Sequence, residues 1–317
     1  MKVETTRVAA PVQLRHAACF FESAEHLLRQ ALPLVTAALE RGEPVALSVR
    51  PATERALYAA LGGTAGLIGL AEPDAVAYGS GQTMAARRAR ELRELTGGAV
   101  AVTVVAEHNS SLDGFDGRYW TELDAAVNVA LGELPVNLTC FYPELPLHLE
   151  ILEGARANHP LLLEDGELRH NHEHRGPRDV LAAAPAGAPM VLGPPDLVLA
   201  YTAWQLHEVR TAVERLAAAA SFGASRAEDV VLAINEVATN AVEHGTSEAQ
   251  VWLWSSAEGL VCEVHDGGTL TEPLPGLRAP HPSEPRGRGV WIARQLCDLL
   301  HVWRDGEGTH VRMHAAR

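Results

Sequence analysis

The sequence predicts two α/β domains in succession: a three-layer N-terminal domain with a mainly parallel sheet, and a C-terminal two-layer α/β sandwich. Three observations carry this. Strand-length apolar runs alternate with helix-period segments through the first half, the pattern of a parallel sheet joined by crossover helices. A stretch rich in Pro, Ala and Gly breaks that alternation at 179–195. Beyond it helical segments come first and strands follow in turn-linked pairs. A chain of 317 residues exceeds one ordinary core, and the boundaries fall at 1–178, 179–195 and 196–317.

In the first domain, residues 1–12 show no regular pattern, and LRHAACFFES (14–23) is an apolar run ending in a Ser cap. A helix follows over 22–40, with Leu27, Leu28, Leu32, Val35 and Leu39 at helical spacing and Gly42 closing it. Pro33 inside this pattern removes one backbone hydrogen bond and can kink the helix. Residues 44–50 form a buried strand, 51–61 a helix stopped by Gly62 and Gly63, and 67–70 a short strand. Residues 79–83 read as a loop and 84–95 as a charged helix. AVAVTVVAE (99–107) is nearly all apolar and β-branched, so it is expected to be buried on both faces. A helix over 119–131, a strand over 136–143 and a helix over 146–158 complete the domain. No GxxxxGK[ST] loop occurs, so nucleotide hydrolysis is not assigned to this half. His170, His172 and His174 lie two apart and would share a face on a strand, where they could bind a metal. No cysteine or carboxylate cluster completes such a site and the flanks resemble linker, so a solvated polar tail is the preferred reading.

Composition narrows the class. Hydrophobic residues make up 47% and charged residues 21%, as in a water-soluble globular protein. The formal net charge of -14 argues against nucleic acid as a direct partner, because phosphate binding needs a basic face. It is compatible with a basic protein partner, and equally with simple solubility. The four cysteines, Cys19, Cys140, Cys262 and Cys297, form no CxxC pair and read as free thiols in a reducing compartment. No basic start followed by an apolar run marks a signal peptide, and no apolar stretch has membrane-spanning length. A cytoplasmic location without membrane attachment is the expectation.

The second domain opens on a helical pattern over 197–220, with Leu206, Val209, Val213 and Leu216 on its apolar side. Next comes VVLAINEVATNAVEHG (230–245). Val230, Ile234, Val237, Ala241 and Val242 make one buried stripe, Ser225 and Glu228 fit a capping box at its start, and Gly245 a stop. Glu236 and Asn240 are four apart and so stack on one face, with His244 extending the line. A carboxylate, a carboxamide and an imidazole in a row suit a site better than a core. Strands over 249–256 and 260–266 follow, ended by Gly267 and Gly268. The proline-rich stretch 269–286, the run Gly287-Arg288-Gly289, a helix over 290–300, and strands over 301–304 and 309–314 around a DGEG turn finish the chain.

Taken together, ExxxNAxxHG at 236–245, DGG at 266–268 and GRG at 287–289 resemble the GHKL (Bergerat-fold) ATPase superfamily over residues 195–317. The compact size and RGRGVWIARQLCD look like its anti-sigma-factor serine kinase branch. The resemblance implies ATP and Mg²⁺ as cofactors, with Asn240 carrying the metal to the phosphates and Glu236 as base or polariser. It implies that Asp266 accepts a hydrogen bond from the adenine amino group and that Gly268 leaves room for the base. Gly287 and Gly289 would offer backbone N–H groups to phosphate, Thr309 would lie near adenine, and His244 belongs to the motif. The segment 269–286 would be the ATP lid. Leu270 stands where the family often has a further glycine.

RHAACFFES, ERGEPVALSV, LTCFYP and ARANHPLL resemble the MEDS sensory domain over 14–178, with His16, Glu22, Tyr142 and His159 in its recurring motifs. The implied whole is a regulator whose first domain senses a small molecule or another signal. Its second domain would bind ATP·Mg²⁺ and a sigma factor, its antagonist or both, and would phosphorylate the antagonist on Ser or Thr. Two other readings stay open: a non-catalytic partner-binding module, and a sensor histidine kinase. The phospho-acceptor His motif and dimerising hairpin of the latter are missing. Relatives of the second domain commonly dimerise, which makes a homodimer the expectation by analogy.

Overall fold

Apolar, β-branched segments in the first half pair in parallel because a helix-length crossover separates most of them. The strands are β1 (Arg15–Phe21), β2 (Val45–Ser48), β3 (Leu67–Gly69), β4 (Val102–Glu107), β5 (Val136–Pro143), β6 (Leu161–Glu164) and β7 (Glu167–His170). They form one sheet in the order β3-β2-β4-β5-β1-β6-β7, parallel throughout except for the β6–β7 hairpin. The computed structural model describes residues 13–70, 80–97, 100–110, 113, 117–190, 192–269, 272, 274–281 and 287–317. Two compact units interleave along the chain. One holds Met1–Glu72, Arg88–Asp116 and Leu131–Arg175, and the other Pro73–Arg87, Gly117–Ala130 with helix α4 (Arg118–Ala130), and Gly176–Arg317, which starts with the short helix α6 (Pro177–Ala183).

In the first unit, α1 (Ala24–Glu40) starts at Ser23, whose hydroxyl accepts from the His26 N–H at 3.1 Å, and it runs unbroken through an exposed Pro33. With α2 (Pro51–Leu61) it covers one face of the sheet, burying Leu27, Val35 and Leu57 against Cys19, Phe21 and Phe141. Full burial of one such aliphatic side chain contributes about 1.5–3 kcal/mol. Alternation then sends His16 and Ala18 of β1, and Cys140 and Tyr142 of β5, to the opposite face. The end of α5 (Leu149–Asn158) delivers His159 to that same face, where its ring lies 4.0 Å from His16. The histidine-rich tail is not one continuous strand, although the His170 and His172 rings still lie 5.1 Å apart. Only His170 is in β7; the chain turns at once, and Asn171 donates to the His159 carbonyl at 2.7 Å.

The second unit is built on an antiparallel sheet, ordered β11-β12-β10-β9-β8: β8 (Leu197–Thr202), β9 (Glu248–Ser255), β10 (Gly259–Asp266), β11 (Leu299–Arg304) and β12 (Thr309–Ala316). The helix expected over 197–220 is in fact β8, a 3₁₀ turn (Ala203–Gln205) and then α7 (Leu206–Ala219). Residues 197–202 alternate in burial and pair with β9, so the added edge pairing outweighs their local helix tendency. The next helix, α8 (Ala224–Asn240), has Gly223 at its N-cap with no side-chain cap, so Ser225 sits inside the first turn and the expected capping box does not form. Arg226 ties that turn to the chain end instead, donating to the carbonyls of Ala316 and Leu296 and to Asp298. The last helix, α9 (Gly289–Leu296), is shorter than expected because Leu299 already enters β11. These three helices bury Val213, Ile234, Val237 and Ala293 against Val251, Leu253, Val264 and Val302.

The other face of this sheet is polar yet buried. Trp303 stacks on His310 at 4.9 Å and His310 on His265 at 4.2 Å. Glu263 accepts from His310 at 3.2 Å and from Arg312 at 2.6 Å. The segment expected as a spacer contributes here, since the Gly187 and Met190 carbonyls accept from His301 and Arg312. Edge strand β11 is closed by side chains of α3 (Gly81–Thr96). Thr83 bonds both backbone groups of Leu300, and Gln82 both of Val302. Such capping blocks further strand pairing. Among the described residues no helix is long and apolar enough to cross a membrane.

The buried pair sets a pH dependence. Burial favours neutral Glu263, but the His310 and Arg312 hydrogen bonds outweigh it and hold the carboxyl below its ordinary 4.5. Burial likewise disfavours charged His310, but its bonds to Glu263 and Asp305 raise it above its ordinary 6.5. The Glu263 contribution is present above its unfolded value and lost as pH falls through the folded one. The His310 contribution is present below 6.5 and lost as pH rises through its raised folded value. Replacing His310 with Gln therefore lowers the thermal midpoint most near about pH 5.5, and the gap from wild type narrows by about pH 8.5. Melting curves across that range test this; a gap that widens at alkaline pH contradicts it.

Candidate functional site

The polar face of α8 supplies the first half of the site. Glu236 and Asn240 are half-buried and one turn apart, flanked on the helix by fully buried Val237 and Ala238. The start of α9 presses against both. A Cβ on Gly289 would stand 2.7 Å from Glu236 Oε2 and 3.1 Å from Asn240 Nδ2, so only glycine fits without displacing them. Arg288 at the N-cap makes no side-chain cap bond, so among the described residues the first backbone N–H groups of α9 are left for an outside acceptor. Gly287 holds φ +82°, a left-handed conformation, and lets the chain turn into the helix.

After Asn240 the helix widens into a π-helical turn (Ala241–Gly245). Its i→i+5 spacing departs from the four-residue stacking of Glu236 and Asn240, and His244 is exposed in it. The turn delivers Gly245 to the second half of the site, at the end of β10. A Cβ on Gly245 would lie 2.1 Å from Asp266 Oδ1, and one on Gly268 would lie 2.6 Å from the same oxygen. The Gly268 N–H donates to Asp266 Oδ1 at 2.7 Å. Thr309 pairs with Asp266 across β10–β12, and its hydroxyl donates to the Gly268 carbonyl at 3.1 Å. Burial pushes the Asp266 carboxyl up, while the Gly268 N–H, His265 and His310 pull it back.

Asn240, Glu236 and Gly289 thus form one cluster, and Asp266, Gly268 and Thr309 a second, joined by the 241–245 turn. Two further glycines border the site. Gly245, in the sequence a helix stop and the end of the 236–245 motif, is brought by the fold against Asp266. Gly308, at φ +148°, would place a Cβ 2.1 Å from the Asp266 carbonyl oxygen; its DGEG turn was the available signal. Leu270 and much of 269–286 lie outside the described residues.

A buried cation backs this region. Arg294 of α9 donates to the Pro275 carbonyl at 2.8 Å, the Leu300 carbonyl at 2.9 Å and Gln82 Oε1 at 2.8 Å. Burial lowers its pKa to about 9, against the pull of Glu122. Pro275 and Gly276 belong to the 269–286 stretch, and a Cβ on Gly276 would lie 2.7 Å from the Trp291 nitrogen, so this part of the stretch packs directly on α9.

The donor set fits a nucleotide with a divalent cation. Asn240 offers a hard oxygen ligand, the α9 start offers N–H groups to phosphate, and Asp266 retains acceptor capacity beyond the Gly268 bond. The glycines open the space a base and a phosphate chain require. Residues 199–315 match the family described as histidine kinase-like ATPase domain. Residues 15–160 match the family described as MEDS, the methanogen/methylotroph, DcmR sensory domain. No curated protein matches the chain. The chain therefore carries an ATPase-type domain of the GHKL kind, which implies nucleotide binding, usually with Mg²⁺, together with a sensory domain.

Gly268→Ala and Gly289→Ala are each expected to weaken nucleotide binding roughly tenfold or more, about 1.4 kcal/mol. Calorimetry reads the affinity, and circular dichroism confirms that the fold survives. Unchanged affinity in a folded Gly289→Ala protein would remove α9 from the site.

Proposed function

We propose that the protein is a signal-controlled regulator whose C-terminal domain binds ATP·Mg²⁺ and transfers phosphate to a Ser or Thr of an antagonist protein in sigma-factor control. The observation that carries this reading is the placement of Glu236 and Asn240 one turn apart against the uncapped start of α9. Sequence motifs of the anti-sigma-factor serine kinase branch and the adjoining sensory domain supply the partner class. A net charge of -14 is compatible with a basic partner.

In this reading Asn240 holds the cation, which when bound supplies positive charge to the phosphate oxygens. Glu236 orients the acceptor hydroxyl and takes its proton. The N–H groups at Gly289 orient the phosphate chain, and Asp266 with Gly268 and Thr309 selects the base. The transferred group places about two negative charges in a protein interface, which separates the partners by repulsion and desolvation.

Asn240→Ala is expected to abolish the Mg²⁺ dependence of ATP affinity. Glu236→Gln is expected to keep that affinity and lower transfer by about 10²–10⁴-fold. Titration of ATP with and without Mg²⁺, then incubation of labelled ATP with candidate antagonists, tests both. Wild-type protein without Mg²⁺-dependent binding sinks the proposal. Binding without transfer leaves a nucleotide-gated partner-binding module, and acid-labile label on the protein itself identifies a histidine kinase instead.

A further inference from the structure

The face of the first sheet opposite α1 gathers three side chains that nothing in the nucleotide chemistry uses. His16 on β1 and Cys140 on β5 are same-face diagonal neighbours, because Ala18 pairs with Cys140 in the parallel register. His16 Nε2 lies 3.5 Å from Cys140 Sγ. His159 arrives from the end of α5, and the three ligand atoms lie within 4.8 Å of one another. Both histidines are fully buried, whereas Cys140 keeps partial exposure.

We propose that His16, Cys140 and His159 bind a thiophilic d¹⁰ transition-metal ion of the Zn²⁺ class, and that this ion is an input to the sensory domain. Three features support it. The donor set of two imidazoles and one thiolate is the N/S mixture that selects such ions over Mg²⁺ or Ca²⁺. The His16–Cys140 separation of 3.5 Å matches the spacing of about 3.5–3.6 Å between N and S ligands at tetrahedral Zn²⁺. His159 is also set up as a ligand: its Nδ1 lies 2.7 Å from the Ala155 carbonyl, so Nδ1 carries the proton and Nε2 the lone pair. Asn171 anchors the same residue through its carbonyl at 2.7 Å, and Tyr142 packs edge-on against its ring at 5.8 Å. On binding, the Cys140 thiol gives its proton to solvent as the metal–sulfur bond forms.

The test uses the full-length protein, stripped with chelator and titrated with Co²⁺, then with Zn²⁺ as competitor. One equivalent of Co²⁺ is expected to give tetrahedral ligand-field bands with a thiolate-to-metal charge-transfer band, displaced by Zn²⁺. Cys140→Ser should abolish the charge-transfer band. His16→Gln and His159→Gln should each weaken binding by more than the roughly 10–100-fold typical of residues behind a ligand. Cys19→Ser, on the opposite face of β1, should leave the spectrum unchanged. Metal held by His170, His172 and His174 would show no thiolate band, so that alternative is separated. Absence of the band in wild type, or its persistence in Cys140→Ser, overturns the proposal. Should Cys140→Ser fail to fold, the wild type decides: Zn²⁺ must slow alkylation of Cys140 and not of Cys297, and equal labelling overturns the site. None of these readouts depends on phosphate transfer.

Discussion

Three chain segments meet at Asp266, and they can do so only because each brings a glycine. Gly245 closes the turn after α8, Gly268 follows β10, and Gly308 precedes β12. A Cβ on any of them would come within 2.1–2.6 Å of an Asp266 atom. This absence of side chains lets one carboxylate sit at the junction of a helix end and two strand ends. The helix carrying Glu236 and Asn240 is thereby pinned at its far end to the sheet. At α9 the logic repeats, with Gly289 allowing a helix start to touch both polar side chains. The site is thus made by close backbone approach, and its polar groups are placed by that approach.

Around it the unit tolerates an unusual amount of buried charge. Glu263, His310 and Arg312 satisfy one another on the outer face of the sheet, and Arg294 spends its donors on two carbonyls and Gln82. Removing any one partner would leave an uncompensated buried group, which costs more than the intact network contributes. Such networks specify register: Glu263 pairs with Trp252 on one side and Arg312 on the other. The described part of the 176–195 stretch is tied to the sheet despite a composition typical of spacers. Its carbonyls at Gly187, Met190 and Gly193 take hydrogen bonds from His301, Arg312 and Trp254.

Legibility differed between elements for identifiable reasons. Residues 136–143 were read as a strand and are β5 residue for residue, since a long apolar run between turn residues has one outcome. In the sequence, residues 197–202 run straight into the helical pattern of Leu206, Val209, Val213 and Leu216; only pairing with β9 decides otherwise. Ser225 and Glu228 make a capping pattern that the chain does not use, because Arg226 anchors the first turn and Gly223 sets its entry.

By itself the sequence determined the fold class of both halves and the identity of the polar residues on α8, β10 and the α9 start. Those follow from periodicity and from motif spacing, which are local. Only the tertiary structure decided that Gly245 and Gly308 border Asp266, that 80–83 close the edge of the second sheet, and that His16, Cys140 and His159 converge. These facts depend on contacts between residues far apart in the chain. They are set by strand register and helix packing, which no local pattern encodes.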